Sequence, residues 1–129
     1  MVRAVPRRDA GPVPNLTIIT YGLMRQVVEQ ALEQVNTHTI DLVDLRTIYP
    51  VDWVNLLVSV KKSQNVLIVE PDVQYGGVGA EIAATLAEYR PGTKVVRLGA
   101  RRETIPASMA LHANMLPTVA EVIDAIDDF

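Results

Sequence analysis

From residue 16 onward, short apolar runs alternate with stretches whose apolar residues recur every three or four positions. Leu16 to Thr20 is the first run and reads as a buried strand closed by Tyr21-Gly22. Leu23, Val27, Ala31, Leu32 and Val35 then fall at helical spacing, which predicts an amphipathic helix over 23–35. Thr39 to Leu45 is a second strand, rich in β-branched residues. Pro50 and Asp52 open a helix whose apolar face is Trp53, Leu56, Leu57 and Val60, and whose negative C-terminal end suits Lys61 and Lys62. Asn65 to Glu70 is an unbroken apolar run of the kind buried on both faces of a sheet. Beyond a Pro-Asp and Gly-Gly loop, Ile82, Ala83 and Leu86 mark a third helix that Pro91-Gly92 stops, and Lys94 to Leu98 is another strand. Pro117 precedes a capping box, Thr118 with Glu121, and a last helix with the face Val119, Val122, Ile123 and Ile126. The segment 99–117 has the weakest periodicity, with a short helix expected within 108–116. Residues 2–8 alternate partly and fit an edge strand, where Pro6 is tolerated.

Strands and helices in this alternation predict an α/β fold, a mostly parallel sheet with helices on both faces. A chain of 129 residues fits one domain, spanning 1–129. Hydrophobic residues make up 49% of it but aromatic residues only 5%, so its core is aliphatic. The absence of cysteine excludes disulfides and thiolate zinc sites. A net charge of −3 argues against nucleic acid as the principal partner. No run is long enough to span a membrane, and Pro6 among Arg3, Arg7 and Arg8 spoils the amphipathic helix of a transit peptide, so a cytoplasmic protein is expected.

Candidate chemistry is sparse. Gly76-Gly77-Val78-Gly79 lies between a strand and a helix, where backbone N–H groups favour anions. The dinucleotide fingerprint fails, because Ile82 stands where a third glycine belongs and Leu98-Gly99 where an acid should end the next strand. The loop therefore reads as a tight turn that brings helix and sheet, or another chain, close together. His38 and His112 are far apart in sequence, and Ser108 before His112 lacks a nucleophile turn. Asp41 and Asp44 fall on opposite faces of their strand and cannot act as a pair. Glu70, at the end of the strongest strand, reads as an acceptor that fixes a loop. No catalytic, cofactor-binding or metal-binding set is expected. Asp124, Asp127, Asp128 and the carboxylate of Phe129 crowd a helix end that disfavours negative charge, which suggests either a solvated terminus or a docking site for a basic partner.

Taken in order, Leu16 to Gly22, Asp44-Leu-Arg-Thr-Ile-Tyr-Pro50, Val60 to Ser63, Gly76-Gly-Val-Gly-Ala-Glu-Ile-Ala-Ala84 and Leu116-Pro117 resemble one family. It is the C-terminal domain of the beta subunit of thiamine-diphosphate 2-oxo acid dehydrogenases of the pyruvate dehydrogenase type. The resemblance implies a three-layer α/β/α sandwich whose five-stranded mixed sheet begins with an antiparallel strand, which assigns residues 2–8. It implies a parent enzyme that decarboxylates a 2-oxo acid oxidatively and transfers the acyl group to lipoyl. Thiamine diphosphate and magnesium would be held by other domains, and none bound here.

The implied partners are the remaining beta-subunit domains, the alpha subunit, a second beta subunit in a homodimer, and possible docking of the acyltransferase's peripheral subunit-binding domain. Neither a membrane nor nucleic acid is among them. Interface residues on this reading are Gly76, Gly77, Gly79, Glu81, Asp127, Asp128 and Phe129. Where many members of the family read Val-Thr-Gly-x-Asp-x-Pro-x-Pro, this chain has Leu98 to Pro106, with Arg102 at the usual acid and Glu103 beside it. The competing readings are a stand-alone module for a small anion or nucleotide at Gly76 to Gly79, and the C-terminal domain of transketolase or deoxyxylulose phosphate synthase.

Overall fold

The computed structural model describes residues 2–6, 13–36 and 38–129, the first of these segments by its backbone alone. Its order is β1 (Val2–Pro6), β2 (Leu16–Thr20), α1 (Met24–Gln34), β3 (Ile40–Leu45), α2 (Trp53–Ser63), β4 (Asn65–Val73), α3 (Val78–Tyr89), β5 (Lys94–Ala100), α4 (Met109–Ala113) and α5 (Val119–Asp127). The strands form one sheet in the order β1-β3-β2-β4-β5. β1 pairs antiparallel with β3, and the other four strands run parallel. The antiparallel edge is thus Val2–Pro6, and Arg7 and Arg8 lie outside the described residues.

Each central strand is apolar at both odd and even positions because both of its faces are covered. Leu16, Ile18, Ile40, Leu42, Leu67 and Val69 meet α1 and α5 on one side. Ile19, Val43, Leu45, Val66 and Ile68 meet α2 and α3 on the other. Burying one such aliphatic side chain contributes about 1.5–3 kcal/mol before the entropy of ordering is subtracted, so these two layers carry most of the fold. Asp41 and Asp44 do separate across the sheet: Ser59 of α2 donates to Asp41, while Arg25 of α1 approaches Asp44. Thr17 extends the polar seam under α2, its hydroxyl 2.7 Å from that of Ser63.

Two elements differ from the sequence expectation. The inner stripe of α1 is Met24, Val28 and Ala31, with Val27 and Leu32 only partly buried and Leu23 largely exposed. Met24 and Leu23 are both apolar, so periodicity alone fits either of two stripes about 100° apart on the helix. The strand starting at Asn65 also runs on through Pro71-Asp72 to Val73, with a register shift against β5 between Val69 and Val73. The capping box of α5 forms in both directions, Thr118 accepting from the Glu121 N–H and Glu121 from the Thr118 N–H.

Candidate functional site

In a parallel sheet, a crevice opens at the C-terminal ends of two neighbouring strands whose chain connections depart in opposite directions. Here that point lies between β2 and β4, flanked by Tyr21-Gly22 and by Glu70 to Asp72. Glu70 is the striped apolar strand's single inward-facing charge, and it is fully buried. The Gly79 N–H donates to its Oε2 at 2.8 Å. The Tyr21 hydroxyl lies 3.2 Å from the same oxygen and 3.0 Å from Asp72 Oδ2, so its one proton is shared between two carboxylates. Burial is the first cause raising the Glu70 carboxyl above its ordinary value; the Gly79 and Tyr21 hydrogen bonds oppose it. The Tyr21 phenol is pushed up, first by burial and then by its bond to Asp72.

Gly76 adopts a positive φ of 80°, which lets the chain turn from β4 into α3. Gly77 and Gly79 are needed for a different reason. A β-carbon at Gly77 would meet the Val73 carbonyl at 2.6 Å, and one at Gly79 would stand 2.9 Å from Glu70 Cδ. Glu70 therefore occupies the N-terminal end of α3, where an anionic ligand would otherwise sit, and the Ala80 N–H is taken by the Gly77 carbonyl. A diphosphate does not fit there, because its charge would face a carboxylate that already holds the inner donor. Among the described residues no group of three or more His, Asp or Glu side chains is placed to hold a metal ion.

A second cluster, which sequence reasoning missed, lies at the ends of β2 and β3. Gly22, Arg25, Gln26, Glu29, Asp44 and Arg46 line a cleft of about 430 Å³. Arg46 Nε is 2.9 Å from the buried Asp44 Oδ2, and Arg25 grips Glu29 at 2.8 Å. Two guanidinium groups facing two carboxylates leave little net charge for a ligand. The Asp-Leu-Arg run was the available signal, since an acid closing a buried strand needs a nearby cation.

The proposed interface residues do not share one surface. Gly76, Gly77 and Gly79 sit at the sheet's C-terminal edge, and Glu81 is exposed in the first turn of α3. Asp127, Asp128 and Phe129 end α5 across the sheet, near the start of β5, where Lys94 donates to the Asp128 carbonyl at 3.1 Å and lies over the Phe129 ring. This terminus is tied down: the Phe129 N–H reaches the Ile126 carbonyl at 3.2 Å, and Asp127 and Asp128 remain exposed. His112 is exposed on α4, and Arg102 stacks over Tyr75 at 4.4 Å.

These observations define a three-layer α/β/α domain whose strand-end crevice is closed by its own carboxylate. The chain belongs to the family described as transketolase, C-terminal domain, which it matches over residues 8–122. The pyruvate dehydrogenase E1 component subunit beta of Porphyra purpurea is 33% identical over 117 residues, covering 87% of this chain and 35% of that protein. The subunit of the same name from Staphylococcus epidermidis strain RP62A is 37% identical over 76 residues, covering 57% of this chain and 23% of that one. The 2-oxoisovalerate dehydrogenase subunit beta of Bacillus subtilis strain 168 is 36% identical over 77 residues, covering 58% of this chain and 24% of that one. The chain thus spans about a quarter to a third of these relatives' length. A solved structure titled as a split gene transketolase, an inactive beta4 tetramer, superposes with a TM-score of 0.78 at 23% identity, covering 98% of this chain and 41% of that one. At that identity the likeness concerns the fold, and it supports the three layers and parallel strands described above.

Proposed function

We propose that this chain, as one domain over residues 1–129, is the assembly domain of a 2-oxo acid dehydrogenase beta subunit in the cytoplasm. The observation that carries this reading is the 33% identity along 87% of the chain to a pyruvate dehydrogenase beta subunit of which it spans only 35%. The parent reaction is then oxidative decarboxylation of a 2-oxo acid with acyl transfer to lipoyl. Thiamine diphosphate and its magnesium would be held by the rest of the beta subunit and the alpha subunit, since Glu70 blocks the one loop here that resembles a phosphate cradle. The same bond weighs against the stand-alone anion module. The transketolase reading rests on the family match over residues 8–122, which does not separate it from the dehydrogenase reading, and on a fold likeness.

A domain graft tests the proposal. Residues 13–129 are substituted for the corresponding C-terminal segment of the Porphyra purpurea beta subunit, and the hybrid is expressed with its alpha subunit. The hybrid is expected to co-purify with the alpha subunit and to keep at least roughly a tenth of the parent activity, a loss of no more than about 1.4 kcal/mol in transition-state stabilisation. A folded hybrid that does not assemble would overturn the reading.

The acidic terminus is proposed to dock a basic partner domain. Lys94 neutralises part of the α5 end but leaves the Asp127 and Asp128 carboxylates exposed. Attraction between exposed charges is screened over about 8 Å at physiological ionic strength, so binding should weaken as salt rises. Asp127→Asn with Asp128→Asn should slow association with the acyltransferase's peripheral subunit-binding domain several-fold in a surface-binding measurement and leave thermal stability unchanged. Association that is unaffected by the pair of substitutions excludes the role.

A further inference from the structure

The cleft of about 430 Å³ at the ends of β2 and β3 has buried charge at its floor and a rim whose polar atoms are only partly used. Asp44 forms the floor, its side chain 4% exposed, and Arg46 Nε lies 2.9 Å from its Oδ2. Arg25 Nη1 stops 3.6 Å from the same oxygen, while that guanidinium gives its Nε and Nη2 to Glu29 Oε1 at 3.1 and 2.8 Å. Neither approach to Asp44 is an aligned hydrogen bond, so Oδ2 remains a buried acceptor without a donor. Two groups stay open at the rim, the Nη1–Nη2 end of Arg46 and Glu29 Oε2. Neither hydrogen-bonds to another described residue, and the two side chains are 50% and 43% exposed. Gly22, with a φ of 58°, places no side chain in the cleft beside them.

We infer that this cleft binds the zwitterionic head of a free α-amino acid. The balance of its charges selects that class of ligand. A plain anion drawn to Arg46 would face Asp44 and Glu29, and a plain amine drawn to Glu29 would face Arg25 and Arg46. A ligand that carries both signs meets neither penalty. In an α-amino acid the ammonium nitrogen and the carboxylate carbon stand about 2.5 Å apart on one carbon. Opposite charges alternate in the cleft at a similar spacing, 2.8 to 3.6 Å. The carboxylate takes the Nη1–Nη2 end of Arg46, a two-pronged match that a guanidinium offers and an ammonium group does not. The ligand's ammonium donates to Glu29 Oε2. Asp44 is a positioning residue: from the floor it holds the guanidinium of Arg46 by its Nε edge and leaves the other end for the ligand. The space beside Gly22 takes the ligand's side chain.

The inference uses neither the parent reaction nor its partners, so it stands or falls apart from the assembly reading. Titration calorimetry of the 129-residue chain with L-alanine, pyruvate, ethylamine and inorganic phosphate tests it. L-Alanine is expected to bind one-to-one with a dissociation constant of about 1 mM or below. Pyruvate keeps the carboxylate of alanine without the ammonium, and ethylamine keeps the ammonium without the carboxylate. Each should bind at least about tenfold more weakly, because it leaves one charged group of the rim unpaired. Arg46→Lys keeps a cation for Asp44 but loses the two-pronged end, and Glu29→Gln keeps the shape but loses the charge. Each should weaken L-alanine binding by about tenfold. Both positions are about half exposed, so circular dichroism and the melting temperature should match the parent protein. No binding of L-alanine up to about 10 mM overturns the inference. So does pyruvate or phosphate binding as tightly as L-alanine, which would mark a plain anion site. An affinity for L-alanine that either substitution leaves unchanged overturns it as well.

Discussion

Gly79→Val is expected to destabilise the protein by about 3–5 kcal/mol, combining the cost of overpacking with the loss of a hydrogen bond to a buried carboxylate. The first side-chain atom at position 79 would already stand 2.9 Å from Glu70 Cδ and 3.0 Å from Ile68 Cγ2. Ile68 belongs to the central strand and is fully buried, so it has no room to give way. Relief would have to come from α3 lifting off the sheet, which pulls the Gly79 N–H from Glu70 and uncovers Ile82 and Leu86. For a domain of this size the loss corresponds to a fall of roughly 10–20 °C in Tm. Gly79→Ala should do less harm, and its effect should depend on Glu70. In the Glu70→Ala background the carboxylate that the methyl group would strike is gone, so the double variant should be more stable than the sum of single losses predicts, by about 1–3 kcal/mol. Urea unfolding of the four proteins checks this. A Gly79→Val protein within about 0.5 kcal/mol of the parent would show that α3 is free to shift.

Much of this architecture is legible from period and punctuation. Leu16 to Thr20 and Asn65 to Glu70 carry apolar residues at both odd and even positions, as a strand covered on two sides requires. Thr118 and Glu121 announce α5 through chemistry that is local to four residues, and the box forms as read. Legibility fails where the deciding partner is distant in sequence. Nothing near Leu23-Met24 says which side of α1 faces the sheet, because the choice is made by packing against β2, β4 and α5. Arg25, Asp44 and Arg46 assemble only once α1 lies over the ends of β2 and β3. The role of Glu70 was half visible: a lone carboxylate closing a buried strand had to accept something, but Tyr21 and Gly79 as its partners follow from the strand order. The grouping of the glycine loop with the acidic tail came from resemblance, and the fold places them across the sheet from one another. Charge and glycine content carry no information about which edge of a sheet a segment reaches.

Glu70→Ala should cost about 2–4 kcal/mol at neutral pH, whereas Glu70→Gln should lie within about 1 kcal/mol of the parent protein. Alanine leaves a cavity and strips the Gly79 N–H of its acceptor inside the protein. Glutamine keeps the shape and, at the Oε2 position, a carbonyl oxygen that still accepts from that N–H and from the Tyr21 hydroxyl, while its amide nitrogen takes the place of Oε1, which has no hydrogen-bond partner here. The amide also carries no charge to desolvate. The two variants should part further in their pH dependence. Burial holds the Glu70 carboxyl above its ordinary value, with the nearby Asp72 charge adding to the rise. The folded protein therefore binds this proton more tightly than the unfolded chain does. Its contribution to stability is fully present below the ordinary glutamate value of about 4.3 and falls as pH rises through the raised folded value, beyond which it is constant. Glu70→Gln removes this titration, so its stability relative to the parent should climb across that window and then level off. Urea unfolding at a series of pH values from about 4 to 8 measures the difference directly. If Glu70→Gln kept the parent's slope, the titrating group would lie elsewhere. If it lost as much stability as Glu70→Ala, the negative charge itself would be what holds Gly79 and the start of α3 to the sheet.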